Sequence, residues 1–439
     1  MRERRHGWNS AGDVSSGRRA PWRHRWCWAP AAASPPRPPR RTRPPARWPS
    51  PRGAPTPSSR ASVRSSPGSR RPTRARRSPS TRSPTTRCSP TSDAQLQAGN
   101  PPDVFRVPYY TFGSYAGRGQ LLDLTSHVAT GFSDRFTPAA WAAVQNAKKP
   151  YGVPHHTDTS VIVYNKAAFA AAGITSVPTT LDTAWTWDEF DQVAKKLRAA
   201  LPAEKYPLAV NWQGNGVTRW LSWLFEADGR FLAEDLKTPA IDSAAGRAAV
   251  DFTKSFFTSK YVPQNNSVKS TTLASDTWYS QTAAMTFAGA FFVPDATKTL
   301  SFEWGATFSP RKVRSAGDFG GNALVATAGT KNPDLAAKFL DFMTQADSMR
   351  DFCAGASLLP TRRDLVASGI NFKVRPELSP VFIGQASSVQ PRDSGQVASP
   401  SMSKIITVLK DQLESAFVGG QSTDATIKSI SAGIAAAVA

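Results

Sequence analysis

The amino-acid composition changes abruptly between Ser92 and Asp93, and this change decides which part of the chain can fold. Residues 1–92 contain 22 Arg and 17 Pro, but no Lys, Leu, Ile, Phe or Tyr. A segment without large aliphatic side chains buries too little apolar surface to offset the conformational entropy lost on folding. We therefore predict that residues 1–92 are disordered and that the folded part of the chain lies within residues 93–439.

The same N-terminal segment carries most of the net charge. The whole chain has 54 basic and 32 acidic residues, and residues 1–92 contribute 22 and 2 of them, which leaves 32 and 30 for residues 93–439. A strongly basic protein suggests a nucleic acid or an anionic membrane as its partner. Because residues 93–439 are almost neutral, that inference does not extend to the folded part, for which no nucleic-acid partner is expected.

Two interpretations of residues 1–92 stay open. Arg, Pro, Ala, Gly and Ser dominate when GC-rich DNA is translated in the wrong frame, while residues with AT-rich codons disappear. We favour such a frame-shifted or mis-started segment over a genuine basic arm that binds phosphates. The segment also lacks a legible secretory signal, since its one apolar cluster, residues 26–33, is short, contains proline and is flanked by arginines.

Residues 93–439 alternate β-rich runs with amphipathic segments, a pattern that is typical of α/β folds with mostly parallel sheets. Thr186 and Glu189 have the spacing of a capping box and predict the start of a helix. Strands are predicted at residues 103–107, 160–164 and 206–210. Helices are predicted at residues 166–172, after Thr186, and at 244–257, 334–343, 402–417 and 424–438.

The search for catalytic or metal-binding motifs is mostly negative. Residues 93–439 contain no phosphate-binding loop, no zinc-protease motif, no paired-cysteine motif and no nucleophile elbow. The His155-His156-Thr157-Asp158 run could contribute to a metal site, to hydrogen bonding at the rim of a cleft or only to a loop; hydrogen bonding is favoured. Cys353 is expected to be a buried apolar thiol rather than a nucleophile. The sequence predicts no cofactor and no metal.

Several ordered motifs resemble the extracellular solute-binding proteins of ABC importers, in particular their sugar-binding, maltose-binding-protein-like branch. The tyrosine-asparagine-lysine run that begins at Tyr164 and the Thr-Trp-Asp-Glu-Phe run that begins at Thr186 carry the resemblance most clearly. The other matching segments are residues 98–105, 119–125, 151–154, 283–289, 332–340 and 359–362.

The resemblance implies a two-lobed α/β clamp of the type II periplasmic-binding-protein class, whose chain crosses a hinge between the lobes more than once. Lobe one would comprise residues 93–157 and 313–360, and lobe two residues 158–312 and 361–439. The implied function is non-catalytic: binding a sugar or oligosaccharide in the interlobe cleft and delivering it to the membrane permease of the importer by hinge closure. The implied location is the outer face of the cytoplasmic membrane.

The resemblance also implies a set of ligand-binding residues. His156, Asp158 and Thr159 stand where the family meets sugar hydroxyls, and an ionised Asp158 could accept two hydroxyl donors. Phe291 stands where the family has a stacking aromatic residue. The remaining predicted contacts are Tyr110, Trp212, Trp220, Gly321, Asn322 and Arg362, where the two tryptophans could equally be core residues and Arg362 could equally pair with Asp364.

Residues 1–92 depart from this family. Its members begin with a signal peptide, often with a lipid-modified cysteine, and with a strand–helix–strand unit, none of which is legible here. We therefore expect lobe one to lack part of its sheet, and a lipid anchor is not visible in the sequence. The alternative function is a carbohydrate-active enzyme, which would need a partner carboxylate for Asp158 across a cleft.

Overall fold

A computed structural model describes the backbone of residues 88–439 and the side chains from Asp93 onward. The predictions for residues 1–87, including disorder and a frame error, lie outside the described residues. The first helix begins at Cys88, so helical backbone starts before the composition break at Asp93.

Residues 88–439 form an α/β fold with nine strands and sixteen α-helices. The strands are β1 (Val104–Pro108), β2 (Gln145–Asn146), β3 (Lys149–Pro150), β4 (Val153–Asp158), β5 (Val161–Asn165), β6 (Tyr206–Ala209), β7 (Ala283–Ala288), β8 (Trp304–Thr307) and β9 (Gly320–Ala326). The first eight helices are α1 (Cys88–Gln97), α2 (Tyr109–Gly117), α3 (Pro138–Ala142), α4 (Lys166–Ala171), α5 (Trp187–Ala200), α6 (Leu221–Glu226), α7 (Ala244–Thr258) and α8 (Ala274–Tyr279). The others are α9 (Val293–Thr299), α10 (Pro333–Met343), α11 (Ala346–Ala356), α12 (Arg363–Ser368), α13 (Ser379–Ser387), α14 (Pro391–Val397), α15 (Met402–Phe417) and α16 (Thr423–Val438). No helix in this part of the chain is both long and apolar enough to cross a bilayer.

The strands form two main sheets and one small hairpin. The first sheet has the order β1-β9-β4 and the second the order β6-β7-β5-β8, while β2 pairs with β3. The prediction of mostly parallel sheets is wrong, because only the β6–β7 pair is parallel. Strand β9 follows β8 of the other sheet through residues 308–319 instead of through a crossover helix, so nothing forces it to run parallel to its neighbours.

Local sequence signals place the helices well. Thr186 accepts a hydrogen bond from the Glu189 N–H, and the Glu189 carboxylate accepts one from the Thr186 N–H, so the predicted capping box is confirmed. Helix α4 ends just before Gly173, which has a positive φ of 66°. The predicted helices at the C-terminal end coincide with α15 and, within one residue, with α16.

The apolar cores are not divided sheet by sheet, because the second core contains Val161 and Val163 of β5 together with Leu324 of β9. The larger core packs on the second sheet and contains Trp187, Phe190 and Trp223, with helices α5, α6 and α7. Below one face of the first sheet a second core contains Leu324, and on its other face a third core contains Val325. Because neighbouring residues of β9 point to opposite faces, both faces of the first sheet are covered by packed side chains.

The chain passes between the two sheets at two places that adjoin the predicted lobe boundaries. Residues 159–160 connect β4 of the first sheet to β5 of the second, and residues 308–319 lead from β8 back to β9. Apart from Asp158 at the end of β4, which belongs to the range predicted for lobe two, the strands of each sheet lie within the ranges predicted for one lobe. The C-terminal residues contact both sides, since the Ser394 hydroxyl of α14 donates to the Ala139 carbonyl of α3 and Gln396 Oε1 of the same helix accepts from the Phe231 N–H. The full boundaries of the lobes stay a prediction.

Candidate functional site

The candidate site is built around Ser160, in the connection between β4 and β5. Its N–H donates to Asp318 Oδ1 at 2.8 Å, and its carbonyl accepts from the Ser309 hydroxyl at 2.8 Å. Its own hydroxyl oxygen accepts from Asn211 Nδ2 at 3.0 Å. These three hydrogen bonds hold the first connecting segment against the second and against the loop after β6.

Asp158, the last residue of β4, joins the first sheet to the loop that follows β7 in the second sheet. The residue is 5% exposed, and its carboxylate accepts a hydrogen bond from the Ala290 N–H at 3.2 Å. Burial raises the pKa of Asp158 to about 7, opposed by the positive charge of Arg219 and assisted by the negative charge of Asp318. Asp158 is therefore an acceptor whose charge state changes near neutral pH.

Arg219 brings a positive charge into the same junction. Its guanidinium carbon lies 5.9 Å from the centre of the Phe291 ring, a cation–π distance. Burial raises the pKa of Asp318, and the charge of Arg219 opposes this shift as it does for Asp158. Neither Arg219 nor Asp318 is predicted from the sequence, because no local motif marks them and they adjoin Asp158 only through folding.

His156, Gly321 and Asn322 meet where β4 pairs with β9. His156 and Asn322 are register partners, with Nε2 and Nδ2 3.4 Å apart. Gly321 has a φ of 95°, and an added Cβ would lie 2.5 Å from the His156 carbonyl oxygen, so glycine is required there. Burial holds the pKa of His156 well below its usual value, so its imidazole is neutral at physiological pH.

Tyr110 lies beside this group at the start of α2. It follows Pro108, the register partner of Asn322, and Tyr109, whose hydroxyl donates to the His156 carbonyl at 3.2 Å. Tyr110 is half-buried, and its ring packs against the core of the second sheet. This position agrees with a side chain at the boundary between the two sheets.

Three buried polar atoms at the junction have no hydrogen-bond partner. They are Thr159 Oγ1, Asn211 Oδ1 and His156 Nδ1. Buried polar groups are normally satisfied by protein, water or ligand, because an unmade bond costs about 1–3 kcal/mol. Two of these atoms, on Thr159 and Asn211, adjoin Ser160 and indicate a place where bound hydroxyl groups or water complete the hydrogen bonding.

Two predicted stacking residues lie elsewhere. Trp212 is 1% exposed and packs between Phe256 and Phe417 in the core of the second sheet. Trp220 is fully buried, and its indole N–H donates to the Thr253 hydroxyl at 2.9 Å. Both rings therefore pack in the core, which is the alternative interpretation that the sequence left open. Neither residue belongs to the candidate site.

Arg362 is also occupied in a structural role. Its guanidinium pairs with Asp364 at 2.9 Å and donates to the Thr344 carbonyl at 3.1 Å. Of the two predicted roles, pairing with Asp364 is the one that the geometry supports. Arg362 lies at the start of α12 and is likewise omitted from the site.

The other residues considered for catalysis or metal binding, Cys353 and His155, have structural roles. Cys353 is fully buried, and burial raises the pKa of its thiol, as expected for an apolar residue and not for a nucleophile. His155 packs its ring on Phe352 with 4.3 Å between ring centres. Across the residues described, no group of three or more His, Cys, Asp or Glu side chains is arranged to hold a metal ion.

Comparison with known proteins gives a family match over most of the folded part. The family model described as "bacterial extracellular solute-binding protein" matches residues 91–350. The diacetylchitobiose-binding protein DasA of Streptomyces coelicolor is 28% identical over 263 residues, which are 56% of this chain and 57% of DasA. An arabinooligosaccharide-binding protein of Halalkalibacterium halodurans is 28% identical over 120 residues, 25% of this chain and 26% of that protein. The chain thus spans little more than half the length of one relative and about a quarter of the other.

Solved structures agree in fold at lower sequence identity. The cyclic α-maltosyl-1,6-maltose-binding protein of Arthrobacter globiformis has a TM-score of 0.69 at 19% identity, covering 81% of this chain and 89% of that one. The GacH receptor of Streptomyces glaucescens has a TM-score of 0.66 at 19% identity with the same coverage. At these identities the likeness establishes a two-lobed type II binding-protein fold.

Proposed function

The chain belongs to the bacterial extracellular solute-binding proteins, and from this premise we propose that it binds a sugar or oligosaccharide for an ABC importer. The proposed binding place is the junction between the two sheets. Its ligand residues would be Tyr110, His156, Asp158, Thr159, Arg219, Phe291, Gly321 and Asn322. The bound sugar would be handed to the transmembrane permease subunits of the importer after the two lobes close on it.

The observation that carries this proposal is the combination at one junction of Asp158, Arg219 and the Phe291 ring. A sugar presents C–H groups on the faces of its ring and hydroxyl groups around the edge. An aromatic ring stacks on the C–H faces of the sugar. A carboxylate accepts hydrogen bonds from the sugar hydroxyl groups, and a guanidinium donates to them. The unpartnered atoms of Thr159 and Asn211 supply further hydrogen-bond capacity for hydroxyl groups.

The names of the relatives suggest which neutral oligosaccharides should be tested first as ligands. One relative is named for diacetylchitobiose and another for arabino-oligosaccharides, and a structural neighbour is named for a cyclic maltosyl-maltose. The near-neutral charge of residues 93–439 agrees with a neutral ligand. The proposed location is outside the cytoplasmic membrane, held there by a lipid anchor or released, as the family description "extracellular" suggests.

We also propose that the protein has no catalytic activity. One observation favours the alternative of a carbohydrate-active enzyme. Asp318 is a second buried carboxylate beside Asp158, and the sequence did not predict it. Hydrolysis needs one carboxylic acid and one carboxylate placed on either side of a scissile bond. Asp318 is instead committed to the Ser160 N–H at 2.8 Å, inside the connection between the sheets.

Isothermal titration calorimetry on the purified chain tests the proposal. Chito-, arabino- and malto-oligosaccharides of two to four units are titrated, and each mixture is then analysed for shortened products. One class should bind with a stoichiometry near one and remain intact. Product formation without stoichiometric binding would favour the enzyme, and absence of binding across the three classes would contradict the proposed ligand.

A further inference from the structure

The return segment between β8 and β9, residues 308–319, passes from one apolar core to another within two residues. Ala316 is fully buried in the larger core, which packs on the second sheet. Phe319 lies in the third core, on the first sheet, and its ring centre is 4.6 Å from that of Tyr109. The chain therefore crosses between the two sheets at residues 317–318.

The other crossing, at residues 159–160, touches this one directly. A Cβ added at Gly317 would lie 2.4 Å from Thr159 Oγ1, so the Thr159 side chain lies against the Gly317 backbone. The Ser160 N–H donates to Asp318 Oδ1 at 2.8 Å. We call residues 159–160 and 317–318 together the pivot, because neither crossing can move without displacing the other.

One buried amide outside the pivot holds the return segment at two points. Gln385 of α13 is fully buried. Its Oε1 accepts from the Ser309 N–H at 2.9 Å, and its Nε2 donates to the Ala316 carbonyl at 2.8 Å. The Ser309 hydroxyl in turn donates to the Ser160 carbonyl at 2.8 Å. With the bond from Ser160 to Asp318, these contacts close a ring to which Gln385 contributes both a donor and an acceptor.

Helix α13 fixes the position of this amide by packing. Phe382 lies in the second core with Val161 and Val163 of β5, against which α13 packs. A Cβ added at Gly384 would lie 3.0 Å from a ring carbon of Phe308, so the helix backbone lies against the start of the return segment. The donor and the acceptor of Gln385 are therefore held where the return segment passes α13.

The pivot adjoins the contact that joins the two sheets at the proposed sugar site. Asp158, the residue before the first crossing, accepts from the Ala290 N–H in the loop after β7. Because Asp158 ends a strand of the first sheet and Ala290 follows a strand of the second, this bond breaks when the sheets part. A shift of the pivot therefore moves Asp158 relative to Ala290.

We propose that Gln385 is a positioning residue that holds the pivot in the arrangement in which Asp158 meets Ala290, and that it thereby raises sugar affinity without contacting the sugar. The effect on affinity rests on the proposed function, whereas the effect on the pivot does not. Without the amide, the Ser309 N–H and the Ala316 carbonyl lose their partner in a buried place, which favours arrangements that admit water to them. A smaller fraction of binding-competent molecules lowers the apparent affinity in proportion.

Hydrogen exchange of single amides in the ligand-free full-length chain tests the effect on the pivot. The two reporter amides are Ser160, which is bonded within the pivot, and Ala290, which is bonded across the sheets. Gln385→Met keeps a side chain of similar length and removes both hydrogen bonds. It should speed the exchange of both reporter amides at least fivefold.

Gln396→Met is the matched control for a general loss of stability. Gln396 of α14 is also fully buried, and its Oε1 accepts from the N–H groups of residues 231 and 232, which lie outside both connecting segments. This variant should lower the Tm about as much as Gln385→Met does. It should leave the exchange of both reporter amides at the parent rate.

Calorimetry with the best ligand of the oligosaccharide panel measures the consequence for binding. Gln385→Met should bind five- to tenfold more weakly than the parent, and Gln396→Met should bind as the parent does. Ser309→Ala removes only the hydroxyl bond to the Ser160 carbonyl and should weaken binding by itself. The double variant should lose less than the product of the two losses, because both bonds belong to one ring. Ser309→Ala also tests the ring by exchange if Gln385→Met does not fold.

Parent-like exchange of the reporter amides in both Gln385→Met and Ser309→Ala would overturn the proposal. Equal acceleration in the two glutamine variants would also overturn it, because the effect would then be one of stability alone. Faster exchange with unchanged sugar affinity would remove the link to binding. If no oligosaccharide binds to the parent, the proposed function fails, while the exchange rates still decide whether Gln385 positions the pivot.

Discussion

Asp158 accepts a hydrogen bond from the backbone N–H of Ala290 at 3.2 Å, and this contact joins the end of a strand in one sheet to the loop after a strand in the other. The carboxylate is therefore held by both halves of the fold at the place where the chain crosses between them. A ligand hydroxyl that binds Asp158 would contact a group shared by the two sheets. Ligand binding at Asp158 and the contact between the two sheets therefore depend on the same carboxylate.

Replacing Asp158 with Asn should weaken sugar binding by roughly 10- to 100-fold. Hydrogen bonds to a charged group contribute about 1.5–3 kcal/mol, and every 1.4 kcal/mol changes affinity tenfold. Calorimetry with the best ligand of the oligosaccharide panel measures the change. Asp188→Asn, at an exposed position in the first turn of α5, is the matched control and should bind as the parent does. Equal affinities for the two variants would remove Asp158 from the site.

Sugar affinity should rise about tenfold between pH 6 and pH 8. The pKa of Asp158 is about 7, and the ionised form accepts two hydroxyl donors, so binding releases a proton below that pKa. The charged or titratable groups around it are the Arg219 guanidinium, His156, whose lowered pKa keeps it neutral, and Asp318, whose pKa burial raises. Calorimetry across this range measures the slope.

The source of the pH dependence can be separated by two variants. Asp158→Asn should bind with an affinity that is nearly independent of pH, because the titrating group is gone. Asp318→Asn should keep a positive slope, although the midpoint moves to lower pH when its negative charge no longer raises the pKa of Asp158. An unchanged slope in Asp158→Asn would assign the titration to another group.

Gly289→Ala should reduce sugar binding more than tenfold, since the added methyl group has no space. A Cβ at this position would lie 2.4 Å from both carboxylate oxygens of Asp158 and 2.4 Å from a ring carbon of Phe291, so both side chains must move. Gly355→Ala is the matched control, because its Cβ would meet nothing within 4 Å in helix α11. It should leave binding unchanged and raise stability by up to about 1 kcal/mol. Parent-like binding by Gly289→Ala would separate this loop from the ligand.

Glu226→Gln should make the protein more stable than the parent at neutral pH. Burial raises the pKa of Glu226 well above 4.5, while its Oε2 accepts from the Trp187 indole N–H at 2.6 Å. The folded state therefore holds a proton that the unfolded state releases above pH 4.5, so parent stability falls as pH rises from there. Glutamine keeps an acceptor for Trp187 without a titrating group.

Urea unfolding of the Glu226 variant at several pH values measures this difference. The gain in unfolding free energy over the parent should grow from pH 4.5 upward and level off above the raised pKa. Glu234→Gln, at a side chain that is 93% exposed, should show no such growth. A gain that does not depend on pH would mean that the pKa of Glu226 is the same in the folded and unfolded states, so that burial does not raise it.

The sequence by itself determined where the helices lie and where the composition of a folded chain begins. The capping box at Thr186, the stop at Gly173 and the apolar periodicity of α5 and α15 act within a few residues, so they could be read directly. The family motifs extended this to a two-lobed fold, which the solved structures confirm, and led to the proposal of Asp158, His156 and Asn322 as ligand residues. The break at Asp93 equally marked where a chain rich in Leu, Ile and Phe begins.

Only the tertiary structure decided which distant groups share the junction. Arg219 and Asp318 adjoin Asp158 because a loop after β6 and the return segment before β9 fold against the β4–β5 connection. The antiparallel pairing of β9 and the burial of Trp212 have the same origin, since each depends on contacts more than 100 residues apart in the chain. Sequence periodicity reports which face of an element is buried, whereas strand direction and neighbouring charges depend on which elements meet.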